Sequence, residues 1–221
     1  MKSVLITGGT VRLGKAIAER LRAEGWRVIT SSHRADAGAD IVADLAEPTG
    51  AAKLYSAALQ MLGGMPPDAL VNTAALFTGE AAAIRAVNLE APKKLTVMMA
   101  GRETGVGAVV NVLDSKVMDG NEDSRLKTQD ERATYRDTKR GLLTFTRSSA
   151  ATFAATLRVN AVAPGPVLAP IVVHVKAGET LLNRRPTAND VAVAVSYLLG
   201  AESVTGAVIP VDAGQHLINE R

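Results

Sequence analysis

The 221-residue sequence contains no cysteine. Disulfides, thiolate nucleophiles, zinc ribbons and iron–sulfur clusters are thereby excluded, and a reducing compartment is the expected setting. Aromatic residues are scarce, with three Phe, three Tyr and one Trp, so the core must be aliphatic and each ring is worth locating. No apolar run approaches the roughly 18 residues that span a bilayer. The first apolar stretch, Val4-Leu5-Ile6, is too short for the core of a signal peptide. A cytoplasmic protein without membrane attachment is expected. No block of five or more Lys/Arg occurs, and the rings do not alternate with basic residues. The net charge of +3 therefore argues against nucleic acid and fits a small anionic ligand.

What is present is an ordinary globular composition, 47% hydrophobic and 21% charged, able to bury a core. Short β-branched runs alternate with longer Ala-rich patterns. Their periodicity predicts strands at Ser3–Thr7, Arg27–Ser31, Asp40–Val42, Ala69–Asn72, Gly107–Val112, Thr156–Ala161 and Ala207–Val211. It predicts helices at Leu13–Glu24, Ala51–Met61, Glu80–Ala100, Ala133–Ala155 and Ala188–Leu199. Several strands are apolar on both parities, as when helices cover both faces of a sheet. The alternation predicts a single α/β domain over residues 1–221, a doubly wound parallel sheet of about seven strands with its ligand edge at the strand C-termini. Two irregular stretches follow strand ends and are candidate site walls or lids. Ser115–Thr134 carries nine charges between Lys116 and Arg132, and Pro164–Pro186 carries four prolines.

The first strand leads into Thr7-Gly8-Gly9-Thr10-Val11-Arg12-Leu13-Gly14, which opens a helix. Glycines there permit a tight turn and close backbone approach, and the helix N-terminus offers N–H groups to a pyrophosphate. Gly9-x-x-x-x-Gly14-Lys15 also matches most of a nucleoside-triphosphate loop, but Ala16 stands where a hydroxyl should hold magnesium. The second strand ends in Ser31-Ser32-His33-Arg34, where a carboxylate would favour the free ribose hydroxyl of NAD. Arg34 suits a 2′-phosphate instead, and Arg12 is placed to stack or pair nearby. NADPH is the expected cofactor. Asp36, two residues beyond Arg34, is read as facing solvent.

Tyr135 and Lys139 stand four apart at the start of a helix, so phenol and ammonium share a face. The ammonium and an oxidised nicotinamide are expected to lower the phenol's pKa, fitting Tyr135 to protonate a carbonyl or imine as hydride arrives. No G-x-S-x-G elbow occurs. His174 and His216 have no metal-ligand spacing and no carboxylate pattern nearby, and read as structural; no metal is expected.

Over nearly its whole length the chain resembles the short-chain dehydrogenase/reductase family. The resemblance rests on the Thr7-Gly8…Gly14 turn, Asp44-Leu45, Asn72-Thr73-Ala74, Asn88, Tyr135/Lys139, Pro164-Gly165, and Val204-Thr205-Gly206 with Val211-Asp212-Ala213-Gly214. It implies that Asp44 lies by the adenine, Asn72 under the ribose and Pro164-Gly165 near the nicotinamide. Asn88 is implied to hold a proton-relaying water through Lys139, which binds the ribose. Two departures resemble one branch. Arg12 replaces a glycine of the turn, and Asn111-Val112-Leu113-Asp114 carries an aspartate where most relatives carry serine. With His33-Arg34, Asn88-x-x-Ala91-Pro92 and Gly214-Gln215-His216-Leu217, these resemble pteridine and dihydromonapterin reductases. The likeness implies that Asp114 pairs with Tyr135 to protonate the substrate and that Phe77 stacks on it.

The sequence thus predicts an NADPH-dependent reductase of a small flat substrate, a dihydropterin-like C=N compound. A carbonyl reductase of the 3-oxoacyl type is the alternative, and a non-catalytic NADPH-binding sensor a second one. The Ala/Thr/Leu-rich faces of the helices at Glu80–Ala100 and Ala133–Ala155 predict self-association, and the resemblance implies a tetramer, with a dimer as the smaller option.

Overall fold

The structure is a computed structural model that describes residues 1–103, 105–118, 131–167 and 180–220. Most of the charged stretch after Ser115, about half of the stretch from Pro164 to Pro186, and His174 lie outside the described residues.

Seven strands form one sheet: β1 (Ser3–Thr7), β2 (Arg27–Ser32), β3 (Ile41–Val42), β4 (Ala69–Asn72), β5 (Gly107–Val112), β6 (Leu157–Pro164) and β7 (Val208–Val211). They run parallel in the order β3-β2-β1-β4-β5-β6-β7. The helices are α1 (Arg12–Ala23), α2 (Gly50–Met61), α3 (Ala81–Arg85), α4 (Ala91–Ala100), α5 (Glu131–Thr152) and α6 (Ala188–Gly200).

Strand alternation divides the core in two. Leu5, Leu70, Val109 and Val159 point to one face, where Leu54, Leu95 and Met99 of α2 and α4 cover them. Val4, Ile6, Val71, Val110 and Val162 point to the other, beneath Ile17, Leu21, Val195 and Leu198 of α1 and α6. Leu142 and Leu143 of α5 pack with Leu113, Val117 and Ala163 near the strand C-termini. Strands β1, β4 and β5 are therefore largely apolar on both parities, because helices cover both faces of the sheet.

The predicted helix over Glu80–Ala100 is interrupted. Ala86–Glu90 forms a single π-turn between α3 and α4, a wider turn often found at functional sites. Strand β6 runs three residues beyond its expected end, because Ala161 to Pro164 pair with β7. Helix α6 starts at the predicted Ala188, set by a reciprocal cap in which Asp190 N–H donates to Thr187 Oγ1 at 3.1 Å and Thr187 N–H to Asp190 Oδ2 at 2.7 Å.

The chain leaves β3 at one edge and re-enters the sheet as β4 on the other side of β1. Strand order reverses there, so the loops after β1 and β4 diverge and open a crevice at their C-terminal ends. Thr7, Asn72 and Asn111 lie in register across that edge.

Candidate active site

The crevice begins with the turn after β1. A Cβ on Gly14 would lie 2.1 Å from the carbonyl oxygen of Gly8, and one on Gly8 would lie 3.0 Å from Ala74 Cα. Glycine is thus required for helix α1 to start this close to the strand. Helix α1 has no acidic residue in its first turn, and Val11 supplies no side-chain cap. Arg12 and Lys15 stand there instead, unfavourably placed against the helix dipole unless an anion binds. Arg12 also has φ of 51°, a left-handed conformation that costs a non-glycine residue about 1 kcal/mol. A phosphate cradle with a cationic rim fits a dinucleotide.

The adjoining residues line the same edge. Thr7 Oγ1 accepts from the N–H groups of Thr73 and Ala74 at 3.0 and 3.1 Å, tying the loop after β4 to β1. Leu13 is half-buried beside the turn, and His33 and Arg34 are exposed beyond β2. Asp44 is exposed and its Oδ1 accepts from Ala46 N–H at 2.9 Å, while Leu45 is buried. Asn72 turns inward: its Nδ2 donates to Asn111 Oδ1 at 2.9 Å, and Asn111 Nδ2 donates to Thr146 Oγ1 of α5 at 2.9 Å. Asn72 Oδ1 is buried without a partner among the described residues. Gly165 meets Asp212 so closely that a Cβ would lie 2.5 Å from the Asp212 Cβ. The Pro164-Gly165 step is thereby pressed against the end of β7.

The candidate catalytic groups gather after β5. Asp114 uses its two oxygens differently. Oδ1 accepts from Lys116 N–H at 3.0 Å, capping the short helical turn Ser115–Val117, and Oδ2 accepts from the Tyr135 hydroxyl at 3.2 Å. Being a cap residue and being a partner of the tyrosine are compatible for a carboxylate with four lone-pair sites. Lys139 is buried; its Nζ donates to the carbonyl of Val112 at 2.7 Å and lies 5.7 Å from the Tyr135 ring centre. The ammonium thus bolts α5 to the end of β5, one turn below the phenol.

Asn88 sits in the π-turn, fully buried. Its Oδ1 accepts from Leu76 N–H at 2.8 Å, and its Nδ2 donates to the Leu76 carbonyl at 2.8 Å and to Thr138 Oγ1 at 3.4 Å. This clamp on Leu76 fixes the next residue. Phe77, half exposed, faces Tyr135 with ring centres 4.5 Å apart and planes at 50°.

Without a bound nicotinamide, the tyrosine shifts in the direction opposite to the lowering expected beside Lys139 and an oxidised nicotinamide. Burial drives the Tyr135 phenol above its ordinary value, and the charge and hydrogen bond of Asp114 push it further. In the protein alone Tyr135 is therefore a held, neutral donor. Burial lowers Lys139 to about 8, with the Asp114 charge opposing.

Sequence reasoning missed three partners. Asn111 and Thr146 gave no local pattern, because Asn111 meets Asn72 across strands and Thr146 of α5 meets Asn111 in turn. Thr138 is an ordinary helix residue until Asn88 reaches it. His216 is not without a carboxylate: its Nδ1 lies 2.8 Å from Oδ2 of buried Asp212, four residues earlier, which also accepts from the His216 N–H at 2.8 Å. The i, i+4 spacing was the available signal.

Known proteins resemble this chain in sequence and fold. The profile described as "NAD dependent epimerase/dehydratase family" matches residues 4–163, and that described as "Enoyl-(Acyl carrier protein) reductase" matches residues 123–216. A protein of Streptomyces violaceoruber assigned to the granaticin polyketide synthase as ketoacyl reductase 2 is 31% identical, over 97% of this chain and 96% of its own. Glucose 1-dehydrogenase 2 of Bacillus subtilis is 29% identical, over 98% and 95%. The crystal structure of FolM alternative dihydrofolate reductase 1 from Brucella canis, complexed with NADP, superposes with a TM-score of 0.83 at 31% identity and covers 98% of this chain and 94% of that one. Similarity of this depth extends from the phosphate turn to the last strand, and the chain belongs to the short-chain dehydrogenase/reductase family of NAD(P)-dependent oxidoreductases.

Proposed function

We propose that this protein is an NADPH-dependent reductase that adds hydride to the C=N bond of a flat, dihydropterin-like substrate. The observation that carries the reading is the Asp114–Tyr135 hydrogen bond with Phe77 against the same tyrosine ring. The glycine turn and Arg34 would hold NADPH, and the bound cofactor would supply the hydride. The substrate nitrogen takes a proton, so that C=N becomes CH–NH.

The chain's own groups manage that proton. Tyr135 and Asp114 hold it between a phenol and a carboxylate, and whichever oxygen faces the nitrogen releases it. Lys139 keeps a positive charge beneath the phenol and would be the group that binds the ribose. The side-chain amide of Asn88 is spent on Leu76 and Thr138, so a relaying water would be held by its backbone carbonyl in the π-turn. Phe77 supplies an apolar face for a flat bicycle, set by the Asn88 clamp. The likeness to the Brucella dihydrofolate reductase agrees with this substrate class and with NADP.

Reduction of a 3-oxoacyl group is the second reading, favoured by the ketoacyl reductase relative. A ketone oxygen needs a neutral donor beside the tyrosine, and a carboxylate at position 114 serves that less well than serine. Self-association through the outer faces of α4 and α5 in a cytoplasmic setting completes the proposal, and light scattering that finds a monomer at micromolar concentration would end that part of it.

The deciding experiment follows NADPH absorbance with dihydropterins, dihydrofolate and simple ketones. Turnover of a pterin that collapses in Asp114→Ala and in Tyr135→Phe is expected. Reduction of ketones alone would transfer the function to the second reading. Tight NADPH binding with no turnover of any substrate would leave a sensor.

A further inference from the structure

An ion pair at the cofactor end of the sheet takes no part in the chemistry described above. Arg34 follows β2, and the short helical turn Ala35–Ala37 closes on Gly38 in the left-handed region, at φ 66°. Within this turn Arg34 Nε donates to Asp36 Oδ1 at 2.9 Å, and an Nη donates to Oδ2 at 2.6 Å. This is a two-point, fork-to-fork contact, the geometry by which a guanidinium also takes two phosphate oxygens. The side chains remain 61% and 69% exposed, so the pair is not locked in place by packing. The nearby Asp40 carboxylate does not compete, since its Oδ2 accepts from Thr30 N–H and Thr30 Oγ1, both at 2.7 Å.

We propose that Asp36 stands in for the 2′-phosphate of NADP, holding the Arg34 fork until the cofactor displaces it, and so sets how strongly this protein prefers NADP over NAD. Binding of the phosphorylated dinucleotide exchanges one anion for another at the guanidinium. Only the difference between the two contacts contributes to affinity. A dinucleotide with a free 2′-hydroxyl leaves the pair intact and loses nothing. Asp36 therefore narrows the preference that Arg34 confers. The shared charge stabilises both partners as ions, raising the arginine and lowering the aspartate from their ordinary values. An exposed pair is a weak competitor, so the effect is a few-fold rather than orders of magnitude. The inference rests on the proposed placement of the NADPH phosphate at Arg34 and is independent of the substrate.

The test is the affinity of the full chain for NADPH and for NADH, read from the fluorescence of the bound nicotinamide without any substrate. Asp36→Asn should tighten NADPH about three- to five-fold and leave NADH unchanged. In an Arg34→Ala background the same change should do nothing to either. Weaker NADPH binding by Asp36→Asn would mean that the carboxylate pre-sets the fork, and would overturn the proposal. Equal tightening of both cofactors, or tightening that persists without Arg34, would show simple charge repulsion and overturn it as well. If Arg34→Ala alone leaves NADPH affinity unchanged, the phosphate is not read at Arg34, and that reading falls together with the proposal. If Arg34→Ala weakens NADPH and Asp36→Asn has no effect, only the role of Asp36 falls.

Discussion

The Tyr135 hydroxyl donates to Asp114 Oδ2 across 3.2 Å, joining the N-terminal part of α5 to the loop after β5. Two groups that hold one proton act as a unit, so their losses should not add. Asp114→Ala and Tyr135→Phe are each expected to lower kcat by about a hundredfold or more. The double variant should be no worse than the weaker single variant by more than a few-fold. Losses that multiply, measured on the best pterin substrate, would show the two residues acting separately.

Lys139 gives a pH signature. Its ammonium titrates at about 8 in the folded protein because it is buried, against about 10.4 in an unfolded chain. Below pH 8 both states hold the proton, and the cost of burying the charge is carried in full. Between the two values the unfolded chain holds more protons, so stability contributed by this site rises with pH. Urea unfolding at pH 7.5 and pH 10 should show wild type gaining about 2–3 kcal/mol relative to Lys139→Met. A constant difference across that window would mean that the amine does not titrate there.

Phe77 separates binding from folding. It is half exposed, so little core is lost when it is removed, yet its ring lies 4.5 Å from that of Tyr135. Phe77→Ala should raise KM for a flat substrate up to about tenfold, the scale of one aromatic contact, with a small change in melting temperature. An equal loss toward small aliphatic ketones would argue that the ring orders Tyr135 instead of holding the substrate.

Arg158 of β6 is a purely structural test. Its Nη1 donates to the carbonyls of Leu198 and Ala201 at 2.9 Å each, and its Nη2 to that of Leu199 at 2.8 Å, closing the C-terminus of α6. Replacing it by Met strands those carbonyls and should cost about 2 kcal/mol, or about 4–8 °C in Tm. NADPH affinity should be unaltered, because the contact lies at the far end of α6 from the crevice. A changed affinity would mean that the helix end communicates with the site.

Sheet and helices were legible because burial on two faces imposes both periods on the sequence. Leu5 and Ile6 are adjacent, both buried, and face opposite helix layers. Glycines 8 and 14, and Tyr135 with Lys139, were legible because their spacing is local. The π-turn around Asn88 was not, since an extra residue in a helical turn leaves the apolar pattern nearly unchanged. Nor was the direction of the Tyr135 shift. It depends on how deeply the ring is buried and on a carboxylate 21 positions earlier in the chain, and neither quantity exists before the chain folds.

The reversal of strand order at β1 and β4 has a practical consequence. On the proposed reading, Arg34 and Asp44, which would grip the adenosine half of a dinucleotide, precede β4, and Asp114, Tyr135 and Lys139, which would handle the reacting bond, follow it. The two tasks occupy separate blocks of the gene. Cofactor preference would then be open to retuning, by evolution or at the bench, through the segment before β4, while the chemistry downstream stays as it is.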